Sequence, residues 1–177
     1  IWAGLGALAG VIAGSFIATL VLRWIDGRSV LTGRSACDHC GRRLGPMQLI
    51  PLVSYAAQHG RCHACGQRID PFHALTELAA GAIGAAAFGL APNPLAGAAL
   101  ALLGWQLLTL ALLDARAFWL PHRLSGLLIL SGLLLGGLAT GGTVAERAIG
   151  AFAGFAALWL IATLYRLVRG REGMGGG

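Results

Sequence analysis

The sequence predicts an all-α polytopic membrane protein, with about five transmembrane helices and a small cytoplasmic zinc-ribbon-like domain. Three observations carry this. The 177-residue chain is 56% hydrophobic and only 11% charged, with a mean hydropathy of +0.73, whereas a water-soluble domain carries about a quarter charged residues. Its apolar residues lie in long runs that are almost free of charge. Its four cysteines and half of its charges lie together between two of those runs.

Residues 2–22 are uncharged and long enough to cross about 30 Å of hydrocarbon as a helix. No basic residue precedes them, and the run is longer than a signal-peptide core. Gly6, Gly10 and Gly14 recur every four residues, which marks one helix face for close packing rather than chemistry. Residues 23–73 then change character. They hold all four Cys, four of the five His and seven Arg, with no long apolar run, and read as a polar domain between two spans. Apolar runs return at residues 74–91, 95–113, 124–140 and 148–165. Ala91-Pro92-Asn93-Pro94 and Gly141-Gly142 read as turns, and Leu120-Pro121 breaks a polar segment, 114–123.

All 13 basic residues are Arg. With Ile1 outside, alternation puts segments 23–73, 114–123 and 166–177 inside, and these hold 12 of the 13; Arg147 alone falls outside. The positive-inside rule therefore predicts N-terminus out, cysteine domain in and tail in. The net charge of +6 forms no basic face interleaved with aromatics, so no nucleic-acid partner is predicted; the lipid bilayer is.

The cysteines form two pairs, Cys37-Asp38-His39-Cys40 and Cys62-His63-Ala64-Cys65, 21 residues apart. Each CxxC lets two thiolates reach one ion from a tight turn, and Gly41 and Gly66 follow where such a turn needs positive φ. Four thiolates suit a structural Zn²⁺, which would supply folding energy to a domain with few apolar residues. A thiol–disulfide pair or an iron site is the alternative. His39, His59 and His63 read as surface or neighbouring groups, since four Cys complete the shell.

Asp114 follows nineteen uncharged residues at the inner end of the third span. A carboxylate at a membrane edge is costly, which points to function; the alternative is a helix-end charge paired with Arg116 or Arg123. Glu77 reads as a first-turn acid of the second span, favoured by the helix dipole.

These pieces resemble the bacterial type IV prepilin peptidases, including the type II secretion pseudopilin peptidases. The resemblance rests on Gly14-Ser15-Phe16 with Arg23; on Arg34-Ser35-x-Cys37-x-x-Cys40; on Leu49-Ile50-Pro51-Leu52-x-Ser54-Tyr55; on Gly60-Arg61-Cys62-x-x-Cys65; on Glu77-Leu78; on Asp114 with Leu120-Pro121; and on the tail Glu172-Gly173-Met174-Gly175-x-Gly177. It implies an intramembrane aspartyl peptidase of the bacterial inner membrane. Such an enzyme cleaves prepilin leaders after a glycine at the cytoplasmic face and N-methylates the new terminus, usually Phe, with S-adenosylmethionine. Asp114 matches one catalytic aspartate. The other is expected directly after Gly177, beyond the chain given, with Gly173, Gly175 and Gly177 as its motif. Gly60 matches a position tied to methylation. The chain departs from the family pattern at Ala18, at His122 and before Glu77. Within the resemblance the expected domains are helix 1 (1–22), a zinc domain (23–73) and a peptidase core (74–177) with a glycine motif at 173–177. The alternatives are an inactive zinc-ribbon membrane scaffold or a member that only methylates.

Overall fold

The structure is a computed structural model that describes residues 1–30, 35–37 and 39–170, with the side chain of Thr140 left aside. The described residues form six α-helices: α1 (Trp2–Ile25), α2 (Val53–Ala57), α3 (Phe72–Leu90), α4 (Pro94–Ala117), α5 (His122–Thr140) and α6 (Val144–Arg169). A 3₁₀ turn at Pro46–Leu49 and two isolated β-bridges complete the segment between α1 and α3. Every helix except α2 is long and apolar enough to cross a membrane. The protein is therefore an all-helical, multi-pass membrane protein, as the five apolar runs predict.

The helices overrun the apolar runs because polar residues cap their ends. Asn93 accepts the Ala96 N–H at 2.9 Å, and Pro94 opens α4 where no N–H is needed. α6 begins at Val144 rather than 148. Thr143 and Glu146 form a reciprocal capping box there, which hydropathy alone passes over. Arg147, the one Arg outside the charge pattern, has a structural task. Its guanidinium donates to the Leu133 carbonyl at 3.0 Å and to the Gly142 carbonyl, so it closes the C-terminal end of α5.

α1 packs mainly on α3, and α4 lies against both. Gly6, Gly10 and Gly14 are all buried in this seam. A Cβ on Gly6 would overlap the Gly84 carbonyl, and one on Gly10 the Ala80 carbonyl. On Gly14 it would lie 2.6 Å from Glu77 Cα. The packing role read from their spacing is the observed one. Between lipid-facing helices there is little hydrophobic drive, so such backbone contact and a few polar bonds hold the bundle. Trp105 Nε1 donates to the Ala80 carbonyl at 3.0 Å, and Ser131 donates to Gln106 Oε1 at 2.7 Å, tying α3 to α4 and α4 to α5. At the end of α1 nearest the insert, Ile17, Ala18, Val21, Phe72 and Leu113 form a buried cluster.

Gly14→Leu is expected to cost about 1–3 kcal/mol by overpacking this seam. Gly4→Leu, with nothing within 4 Å, should be near neutral. Thermal unfolding of both variants in detergent checks the pair.

Candidate functional site

The insert between α1 and α3 is built on two similar turns. In the first, Cys37 N–H donates to the Arg42 carbonyl and Gly41 N–H to the Cys37 carbonyl, both at 2.9 Å. In the second, Cys62 N–H donates to the Gln67 carbonyl at 2.8 Å and Gly66 N–H to the Cys62 carbonyl at 2.9 Å. A β-bridge flanks each, Ala36 with Arg43 and Arg61 with Arg68. Gly41 and Gly66 have φ of +68° and +71°, the left-handed conformation expected of them.

The two turns bring Cys37, Cys40, Cys62 and Cys65 together, with all four sulfurs within 4.8 Å of one another. The cysteines are free thiols, and Cys37 Sγ lies 3.9 Å from Cys65 Sγ, far beyond disulfide length. Thiolates about 2.3 Å from a tetrahedral ion stand about 3.8 Å apart, so the cluster could hold a metal ion. The thiols are already unequal. The backbone N–H groups of Cys65 and Ala64 bring Cys62 down to about 6. The Gln67 N–H lowers Cys65, but partial desolvation and the neighbouring thiols outweigh it and push Cys65 up to about 11. Clustered thiols resist sharing negative charge, and a cation would relieve that.

A cleft of about 1120 Å³ opens between α1, α3 and the insert, lined by Ser15, Thr19, Tyr55, Gly60, Cys62 and Glu77 among others. Gly60 has φ +65°, and a Cβ there would lie 3.0 Å from the Tyr55 hydroxyl. Both the turn and the overlying ring therefore favour glycine. Glu77 differs from its sequence reading. It lies beyond the first turn of α3, is only 5% exposed, and accepts the Leu52 N–H at 2.8 Å. Leu52 itself has φ +59°, a strained value for a residue with a Cβ, and Glu77 anchors it. The close approach allowed by Gly14 buries this acid. Spacing along one segment could not reveal a bond between residues 25 apart in sequence.

Asp114 lies in the last turn of α4 and is exposed; its carbonyl accepts the Phe118 N–H at 2.9 Å. Among the described residues its carboxylate has no ion-pair partner. Arg116 instead reaches Asp70 at 3.4 Å and lies 3.7 Å over the Phe72 ring. Trp24 and Trp119 meet edge to face at 6.3 Å. The C-terminal end of α4 and the residues after it thus pack against Asp70 of the insert and against the adjoining ends of α1 and α3, but Asp114 does not line the cleft. Gly173, Gly175 and Gly177 lie outside the described residues, as do Arg34 and Asp38.

Fold and site together define a multi-pass membrane protein with a four-thiol cluster that could hold a metal ion beside a cleft. Residues 8–90 match the bacterial peptidase A24 N-terminal domain, and residues 100–177 match the type IV leader peptidase family. The chain is 34% identical to a prepilin leader peptidase/N-methyltransferase of Klebsiella pneumoniae, over all of this chain and 80% of the relative. It is 35% identical to one of Burkholderia pseudomallei, over 95% of this chain and 62% of the relative. It is 38% identical to one of Pseudomonas aeruginosa, over 81% of this chain and 49% of the relative. The chain belongs to the type IV leader peptidase family. It spans less than two thirds of the length of several curated relatives that it matches. No solved structure matches it.

Gly60→Ala is expected to destabilise by about 1 kcal/mol or more, from the left-handed backbone and the Tyr55 contact. Gly45→Ala, at φ −81° with its nearest neighbour 4.0 Å away, should be near neutral. Thermal unfolding again separates the two.

Proposed function

We propose that this chain forms the membrane core of an aspartyl peptidase that cleaves the leaders of type IV prepilins or pseudopilins. In this reading it works at the cytoplasmic face of the bacterial inner membrane and also N-methylates the new terminus. The family membership supports the reading, and the contact of the Asp114 segment with the insert carries it. Arg116 on Asp70, and Trp119 on Trp24, put the exposed acid and the four-thiol cluster at one end of the bundle. The distribution of Arg supports that end as the cytoplasmic one and the N-terminus as periplasmic. A prepilin whose helix enters the membrane there still presents its leader to water.

Asp114 is the proposed catalytic acid, and the family pattern supplies its partner directly after the Gly175-Gly176-Gly177 motif. Two carboxylates sharing one proton divide the work. One deprotonates water while the other donates to the scissile carbonyl. Gly173, Gly175 and Gly177 would let backbone and substrate approach closely.

Zn²⁺ is the proposed ion of Cys37, Cys40, Cys62 and Cys65. The sulfur spacing fits a closed tetrahedral shell, which is structural rather than catalytic. The cleft is the proposed place of methyl transfer. Its size suits a nucleoside-sized ligand, Gly60 and Tyr55 form one wall, and Arg61 and Arg68 add positive charge for a carboxylate. S-adenosylmethionine, when bound, would supply an activated methyl group.

In the full-length protein Asp114→Asn should lower leader cleavage by roughly 10²–10⁴-fold and leave membrane insertion intact. Retained cleavage would reject the role of Asp114. Elemental analysis should find about one zinc per chain, and a Cys37→Ser, Cys62→Ser double variant should lose it. Unchanged zinc content in that variant would count against the site.

A further inference from the structure

Glu77 is a buried carboxylate on α3 with one hydrogen bond to it among the described residues. Leu52 N–H occupies Oε2 at 2.8 Å. The side chain lines the cleft, and no cation pairs with it among the described residues. A carboxylate this buried, with one oxygen left to face the cleft, offers an acceptor that a ligand can complete. Around it the cleft carries apolar side chains, including Leu22, Leu44, Leu49 and Ile69. Asp70 and four Arg also line the cleft, but Asp70 reaches Arg116, Arg28 pairs with Asp26, and Arg23 and Arg61 donate to backbone carbonyls. The Glu77 carboxylate beside the apolar wall is complementary to an alkylammonium group attached to an apolar side chain.

We propose that Glu77 binds the free α-ammonium group of a peptide whose first residue is apolar, and so selects the cleaved substrate for methylation. This rests on the reading of the cleft as the methyl-transfer site. It adds what that reading lacks, a group that distinguishes a new N-terminus from an uncleaved chain. Before cleavage the same nitrogen is an amide, with no charge to offer and no room beside the preceding residue. Glu77 thereby orders the two reactions, since only the product of cleavage carries the group that it holds. The Leu52 contact fits this role. It fixes the carboxylate in one orientation and ties it to the segment bearing Tyr55. The methyl donor also carries an ammonium, so the same chemistry has a second source, and the test separates the two.

Full-length protein in lipid nanodiscs is titrated with three peptides matching a cleaved prepilin N-terminus, labelled at the C-terminal end. One has a free α-amine, one is N-acetylated, and one has hydrogen in place of the amine. Wild type should bind the free-amine peptide about tenfold or more tightly than the other two, the scale of a charge-assisted hydrogen bond. Glu77→Gln keeps an oxygen for Leu52 N–H and should lose the preference, while S-adenosylmethionine binding stays within about twofold. If acetylated or amine-free peptide binds wild type equally well, the proposal is overturned whatever the variant does. It is also overturned if Glu77→Gln keeps the preference, or if the variant loses the methyl donor instead. Methyl transfer by wild type to the free-amine peptide is measured alongside. A wild type that methylates without preferring the amine sinks the proposal and leaves the methyl-transfer reading standing. One that prefers the amine through Glu77 but never methylates sinks that reading alone.

Discussion

The backbone contact between α1 and α3 is the constraint on which the rest of the structure depends. Gly6 and Gly10 lie directly on the backbone of Gly84 and Ala80, and Gly14 on that of Glu77. Lipid offers no reason for two apolar helices to associate, so shape has to do it. Because the helices touch, the chain leaves α1 and enters α3 at nearly the same place. Both ends of the insert are pinned there, and the buried cluster of Ile17, Val21, Phe72 and Leu113 closes beneath them. The cleft exists because the insert is folded back over this junction.

The insert solves a different problem. It has few apolar residues, and Cys62 is its only described residue that is buried. Two short turns with left-handed glycines aim four thiols at one point instead. The proposed zinc would then stand in for a core, with binding energy serving as folding energy. The insert is fastened to the bundle by polar contacts at its edges: Glu77 to Leu52, and Arg116 to Asp70 and Phe72. These contacts link the cleft on one side to the Asp114 segment on the other. Two neighbouring sites at one end of a bundle suit an enzyme proposed to cut a chain and then modify the new end.

Much of this was legible in the sequence, and the reason is local. A membrane span is a run of residues, a metal-binding turn is CxxC followed by glycine, and a small-residue seam is a four-residue repeat. The packing of Gly6, Gly10 and Gly14, the left-handed turns at Gly41 and Gly66 and the convergence of the four cysteines were therefore readable from spacing alone. What escaped depends on distance in sequence. Glu77 looked like a helix-start acid, yet it lies beyond the first turn and is engaged by Leu52. Arg116 looked like a partner for Asp114, yet Asp70 and Phe72 take it. The early start of α6 escaped for another reason: Thr143-x-x-Glu146 is a polar signal, and hydropathy does not weigh it.

The seam is tested most directly at its far end, away from the insert. A Cβ on Gly89 would lie 3.5 Å from Ala3 Cβ, within the range of a disulfide. Ala3→Cys with Gly89→Cys should therefore cross-link within one chain under mild oxidation in the membrane, while either single variant should not. Absence of the intrachain cross-link, or cross-links only between chains, would contradict the α1–α3 contact and with it the cleft.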